Sequence, residues 1–139
     1  MRTFDTIIIH CSATLPGQRV TAQEIDQWHR DKGYRCIGYH FVILPDGTIQ
    51  QGRPLDEIGA HCKRHNATSV GICYIGGLDS KGDPSDTRTE AQRESLSRLI
   101  WRLSLLALRR GLGLVKVRGH RDFNHHKQCP CFDARAEYD

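Results

Sequence analysis

Short apolar runs alternate with turn-forming residues along the chain. Residues 4–10 hold the unbroken run Ile7-Ile8-Ile9, which predicts a central strand covered on both faces. Pro16 and Gly17 mark residues 12–18 as a loop. Thr21-Ala22-Gln23-Glu24 matches a capping box and predicts a helix to about Lys32, with Ile25 and Trp28 on one face and Gly33 as its stop. Residues 38–44 read as a second strand. Pro45-Asp46-Gly47 is a turn signal, and residues 48–51 return as a hairpin partner. The pattern breaks down over 52–66, a structured surface loop. Residues 69–75 form another strand, closed by Gly76-Gly77.

Residues 78–86 are rich in Gly, Pro, Ser and Asp and form a loop. Thr87-Arg88-Thr89-Glu90 gives a second capping box, and the helix behind it should reach about Arg110. Leu96, Leu99, Ile100, Leu103, Leu106 and Ala107 supply its apolar stripe. Residues 114–117 make a last short strand, and the tail is expected to be loop. The order predicts an α/β fold with a single mixed β-sheet flanked by helices. Neither a glycine fingerprint after the first strand nor a P-loop is present.

Composition narrows the class. A length of 139 residues predicts one domain over 1–139 with one hydrophobic core. Charged residues make up 26% and apolar residues 38%, with a formal charge of +4, a mild bias toward anionic partners. Lys63, Arg64 and the pair Arg109-Arg110 read as solvated surface, so no nucleic-acid partner is expected. No segment is long and apolar enough for membrane insertion, and the start lacks the features of a secretory signal. The expected location on synthesis is cytoplasmic. Six cysteines, at 11, 36, 62, 73, 129 and 131, form no CxxC pair, and a disulfide scaffold is not expected in that compartment. Cys73 reads as a buried small hydrophobe, and Cys11 and Cys36 can be the same.

The candidate chemistry lies at the two ends. His10 closes the first apolar run, His120 follows the last strand, and Cys129 precedes Pro130 in the tail. Two imidazoles and a thiolate form a three-ligand set for a catalytic zinc with one position open. Such a metal acidifies its water and polarises a carbonyl. For His10 alone, a core histidine is an equally good reading. Cys131 stands as an alternative ligand or a redox neighbour. A cysteine hydrolase using Cys129 with His10 or His120 is a further reading.

These motifs, in this order, resemble a known family. The segments are Ile7-Ile8-Ile9-His10-Cys11-Ser12-Ala13-Thr14, Gly38-Tyr39-His40-Phe41-Val42-Ile43 and Asp46-Gly47. They continue with Gly59-Ala60-His61 and Asn66, Ser69-Val70-Gly71-Ile72-Cys73-Tyr74-Ile75-Gly76-Gly77, Gly119-His120-Arg121-Asp122 and Lys127-Gln128-Cys129-Pro130. The chain resembles the zinc N-acetylmuramoyl-L-alanine amidases shared by short bacteriophage endolysins and peptidoglycan recognition proteins.

The resemblance implies one Zn2+ per chain on His10, His120 and Cys129, with Tyr39 and Lys127 as catalytic helpers. It implies peptidoglycan as substrate, cut between N-acetylmuramic acid and L-alanine, by a monomer that reaches the wall once the membrane is opened. His61 and Asn66 would line the stem-peptide groove. His40, taken to face away from Tyr39 in a regular strand, is assigned a supporting role. His125 and His126 are read as surface residues. The 120–129 interval is about one residue longer than expected for the small phage enzymes, and Cys131 stands where a small residue is usual. The runner-up functions are a non-catalytic peptidoglycan-binding protein on the same fold and a structural zinc protein.

Overall fold

The computed structural model describes residues 2–139. Five strands form one sheet in the order β3-β2-β4-β1-β5. They are β1 (Thr6–Cys11), β2 (Phe41–Ile43), β3 (Ile49–Gln51), β4 (Ser69–Tyr74) and β5 (Lys116–Gly119). β1 pairs in parallel with both β4 and β5, and β2 with β4, while the β2–β3 hairpin is antiparallel. The expected mixed sheet is therefore present, with the unalternating apolar strands β1 and β4 at its centre.

Two helices take opposite faces. In β1, Ile7, Ile9 and Cys11 join Val70, Ile72 and Tyr74 of β4 in a core with Leu96, Leu99, Ile100, Leu103 and Ala107 of α2 (Glu90–Arg109). Side chains alternate across a strand, so Ile8 and His10 leave the other face. There Val42 and Cys73 pack with Ile25 of α1 (Ala22–Asp31). This alternation puts His10 on the side away from α2.

Several boundaries moved. The capping box of α1 is the expected Thr21–Glu24 pair, but Trp28 is exposed and only Ile25 of that face is buried. The box of α2 is Thr89 with Gln92, two residues later than expected, because the Thr87 hydroxyl instead accepts from the Gly77 N–H at 2.8 Å. Leu106 is half-buried rather than a core member. β5 starts at Lys116 because its pairing with β1 runs from Thr6↔Lys116 to Ile9↔Gly119, which leaves Leu114 87% exposed.

The tail contains an unexpected helix, α3 (Ala134–Tyr138), capped by Asp133. It packs along β5, where the Asp139 carboxylate accepts from the Val117 N–H at 3.0 Å. Arg88 ties it to the start of α2. Its side chain is fully buried, donates to Glu137 and Asp86, and lies 3.3 Å over the Phe132 ring. Five residues cannot sustain a helix alone; these contacts hold this one.

His40 is fully buried. Its Nδ1 accepts from the Gly71 N–H at 3.0 Å, which leaves Nε2–H to donate to the Glu57 carbonyl at 2.8 Å. Burial, with Arg2 nearby, pulls its pKa down to about 4. The unfolded chain therefore binds more protons between pH 6.5 and 4, so stability is fully present above that window and lost as pH falls through it. We expect this group to contribute at most about 3 kcal/mol of that loss. Thermal unfolding against pH should show the decline, and His40→Asn should flatten it; an unchanged slope in the variant would rule His40 out as the source.

Candidate metal centre and cleft

His10 and His120 come from neighbouring parallel strands. β1 and β5 pair as far as Ile9↔Gly119, so the next residue of each, His10 and His120, leaves the same end of the sheet. Cys129 returns from the tail. The Cys11 N–H donates to its Sγ at 3.2 Å, and the Arg121 N–H donates to its carbonyl at 2.8 Å. Pro130 follows through a cis peptide, and the Tyr74 hydroxyl donates to its carbonyl at 2.6 Å. Gly119 permits this closure, because a Cβ there would meet Pro130 Cδ at 2.6 Å.

One ligand-capable atom from each of His10, His120 and Cys129 lies within 4.8 Å of the others. The two Nδ1 atoms are 3.1 Å apart. Burial, then His61, His120 and Lys127, hold the His10 pKa well below its ordinary value. Burial, then Lys127, takes that of His120 to about 4. Both imidazoles are thus neutral near pH 7. A tetrahedral ion about 2.0–2.1 Å from two nitrogens sets them about 3.3 Å apart. The spacing and the donor set therefore fit a zinc-sized ion.

The other ring nitrogen of His10 is occupied. Nε2 lies 2.8 Å from Nδ1 of His61, which is itself buried and held down to about 3, first by burial and then by His40 and His120. Gly71 leaves room for this ring, since a Cβ there would come within 2.6 Å of it. The Asn66 side-chain oxygen accepts from the His61 and Cys62 N–H groups, both at 2.9 Å, and so shapes the loop that carries His61. Both residues also line the cleft.

The Tyr39 ring stands 5.0 Å from that of His10 and 5.4 Å from that of His29. Tyr39 is half-buried and lines the cleft. Burial, then the thiols of Cys73 and Cys129, push the phenol pKa well up. The hydroxyl stays a donor at any physiological pH. Tyr39 and His40 precede β2, so strict strand alternation does not govern them; both rings lie within 6.4 Å of the His61 ring. His29 is a cleft residue that the sequence reading passed over. Its Nδ1 accepts from the Gly38 N–H at 2.8 Å. It stands four residues after buried Ile25, on the same helix face, and that spacing was the available signal.

Lys127 lies exposed on the rim. Cys131 does not join the ligand group. Its Sγ lies 3.9 Å from Cys11 Sγ and 3.4 Å from the Gly77 carbonyl, and burial first, then Cys11, takes its pKa up to about 12. His125 and His126 are exposed and outside the group.

His29, Tyr39, His61, Asn66 and His120 line a cleft of about 660 Å³. Lys32, Lys63, Arg64 and Lys127 stand around it, and among the described residues no carboxylate lines it. Lys63 and Arg64, read from sequence as plain surface, thus belong to the cleft wall.

The family model described as N-acetylmuramoyl-L-alanine amidase matches residues 1–132. The chain belongs to that family. It is 43% identical over 131 residues to the endolysin of Escherichia phage T7, spanning 94% of this chain and 83% of that one. The fold matches the N-acetylmuramoyl-L-alanine amidase LysC from Clostridium intestinale with a TM-score of 0.77 at 28% identity, covering 98% and 82% of the two chains. A Drosophila PGRP-LB mutant in complex with tracheal cytotoxin matches with a TM-score of 0.78 at 26% identity over 99% and 80%. The chain is an endolysin-like amidase. Among the described residues no helix is long and apolar enough to cross a membrane.

Proposed function

We propose that this amidase depends on one zinc ion held by His10, His120 and Cys129, and that it hydrolyses the amide between N-acetylmuramic acid and L-alanine in peptidoglycan. The observation that carries the reading is the meeting of those three side chains at the end of the sheet, where His120 opens onto a basic cleft. When bound, zinc supplies a Lewis acid for the scissile carbonyl and an acidified water.

The protein's own groups do the rest. His61, through its contact with His10 Nε2, fixes the ring and leaves Nδ1 as the nitrogen that would hold the ion. The protonated Tyr39 hydroxyl donates to the oxygen that gains negative charge as the carbonyl is attacked. Lys127 adds a positive field at the same oxygen. Lys32, Lys63 and Arg64 attract the carboxylates of the stem peptide into a cleft that has none of its own.

Zinc content and new amino groups released from purified peptidoglycan should be measured with and without chelator. Chelation should abolish release and added zinc restore it. New reducing sugar ends in place of amines would overturn the bond assignment. His61→Ala should weaken zinc binding about 10–100-fold, as loss of an outer-shell partner does. Competition with a zinc indicator reads this directly, and unchanged affinity would remove His61 from the positioning role.

A further inference from the structure

The sheet divides the molecule into two sides. His10 and the cleft lie on one, and α2 covers the other. The outward face of α2 is therefore the surface farthest from the chemistry. Its make-up is unusual for a solvated helix face. Trp101 is 65% exposed and Leu108 53% exposed, with half-buried Leu105 between them. Spacings of four and three residues align them in one stripe. Arg98, Arg102 and Arg109, all exposed, fall on the same side at 100° per residue. Among the described residues none of the three pairs with a carboxylate, whereas Arg93 of the same helix and Arg110 just past its end do. Leu114, just past the helix, is 87% exposed.

We propose that this face docks peripherally on an anionic phospholipid surface. Such a surface supplies phosphates for the three free guanidinium groups and an interfacial layer for the indole and leucines. Arginine stems can lie along the apolar layer with their charges outward. Three arginines that form no ion pair, with only Glu94 a turn before them on that face, lie beside exposed tryptophan; this net positive face matches that chemistry better than it matches a second copy of this chain, whose equivalent face would carry the same charges. Docked this way, the cleft points away from the bilayer. Given the proposed action on peptidoglycan, that is the direction of the wall; the docking itself does not depend on that reading.

The test uses the zinc-loaded full chain and vesicles of phosphatidylethanolamine with phosphatidylglycerol, against vesicles of phosphatidylcholine alone. At low salt the protein should sediment with the first and not the second, and salt should release it. In a Trp28→Phe background, Trp101 emission should shift to shorter wavelength on the anionic vesicles. Replacing Arg98, Arg102 and Arg109 together by Gln should lower partitioning at least about tenfold, and Trp101→Ser should lower it several-fold. Both variants should cleave a soluble muramoyl peptide at the parental rate, which shows that they are folded. Equal binding to phosphatidylcholine, undiminished binding of the arginine variant, or a dimer that Trp101→Ser dissolves would each overturn the proposal. Absence of cleavage by the parent protein, with vesicle binding intact, would instead count against the proposed amide chemistry.

Discussion

Cys129→Ala should yield a folded protein that neither retains zinc nor cleaves peptidoglycan at a useful rate. The reason is geometric. Cys129 contributes the only sulfur of the three-residue group and the only ligand that arrives from the tail. Two imidazoles alone leave the ion half-coordinated by protein. Lewis-acid catalysis is worth several kcal/mol, so the rate should fall at least about a thousandfold. The fold should survive, because the Cys129 side chain is only half-buried and the tail remains tied by Arg121 and Tyr74. Thermal unfolding separates the effects: zinc should raise the melting temperature of the parent and not of the variant. If activity persists under chelation but is lost on thiol alkylation, Cys129 is a nucleophile and the metal reading fails.

Tyr39→Phe should be nearly as damaging and differ in kind. The phenol is held protonated by its burial, beside the His10 ring. Its removal takes away one hydrogen-bond donor at the developing oxyanion, a loss of about 10²–10³ in rate. Zinc affinity and melting temperature should stay near parental, since Tyr39 offers no ligand and keeps its ring. The loss should fall on kcat more than on KM. A variant with parental kcat would show that the tyrosine only packs against His10.

The legible parts of the chain were those in which local pattern and tertiary role coincide. Ile7-Ile8-Ile9 announced a central strand because burial on both faces leaves no polar alternation. The α2 stripe announced itself because its buried positions keep helical spacing. His10, His120 and Cys129 were separable from the other histidines and cysteines by their places at strand ends and before proline, and the family resemblance joined them. Other features depended on partners distant in sequence. The Asp133 cap is a weak local signal for residues 134–138, and the helix's main support is Arg88, nearly fifty residues away. His61 was read only as a groove residue; it does line the cleft, but the sequence does not show that its Nδ1 also meets His10. Lys63 and Arg64 looked like ordinary surface because only the folded loop turns them toward the cleft.

The position of β5 beside β1 has a consequence for synthesis. His10 and His120 are 110 positions apart in the chain. At about 5–20 residues per second, translation leaves the first strand waiting about 5–20 s for its neighbour. Until β5 is made, β1 keeps an unpaired edge, and until residue 129 is made the proposed ligand set is incomplete. A product terminated before residue 129 therefore lacks one of the three proposed ligands, and no activity is expected of it.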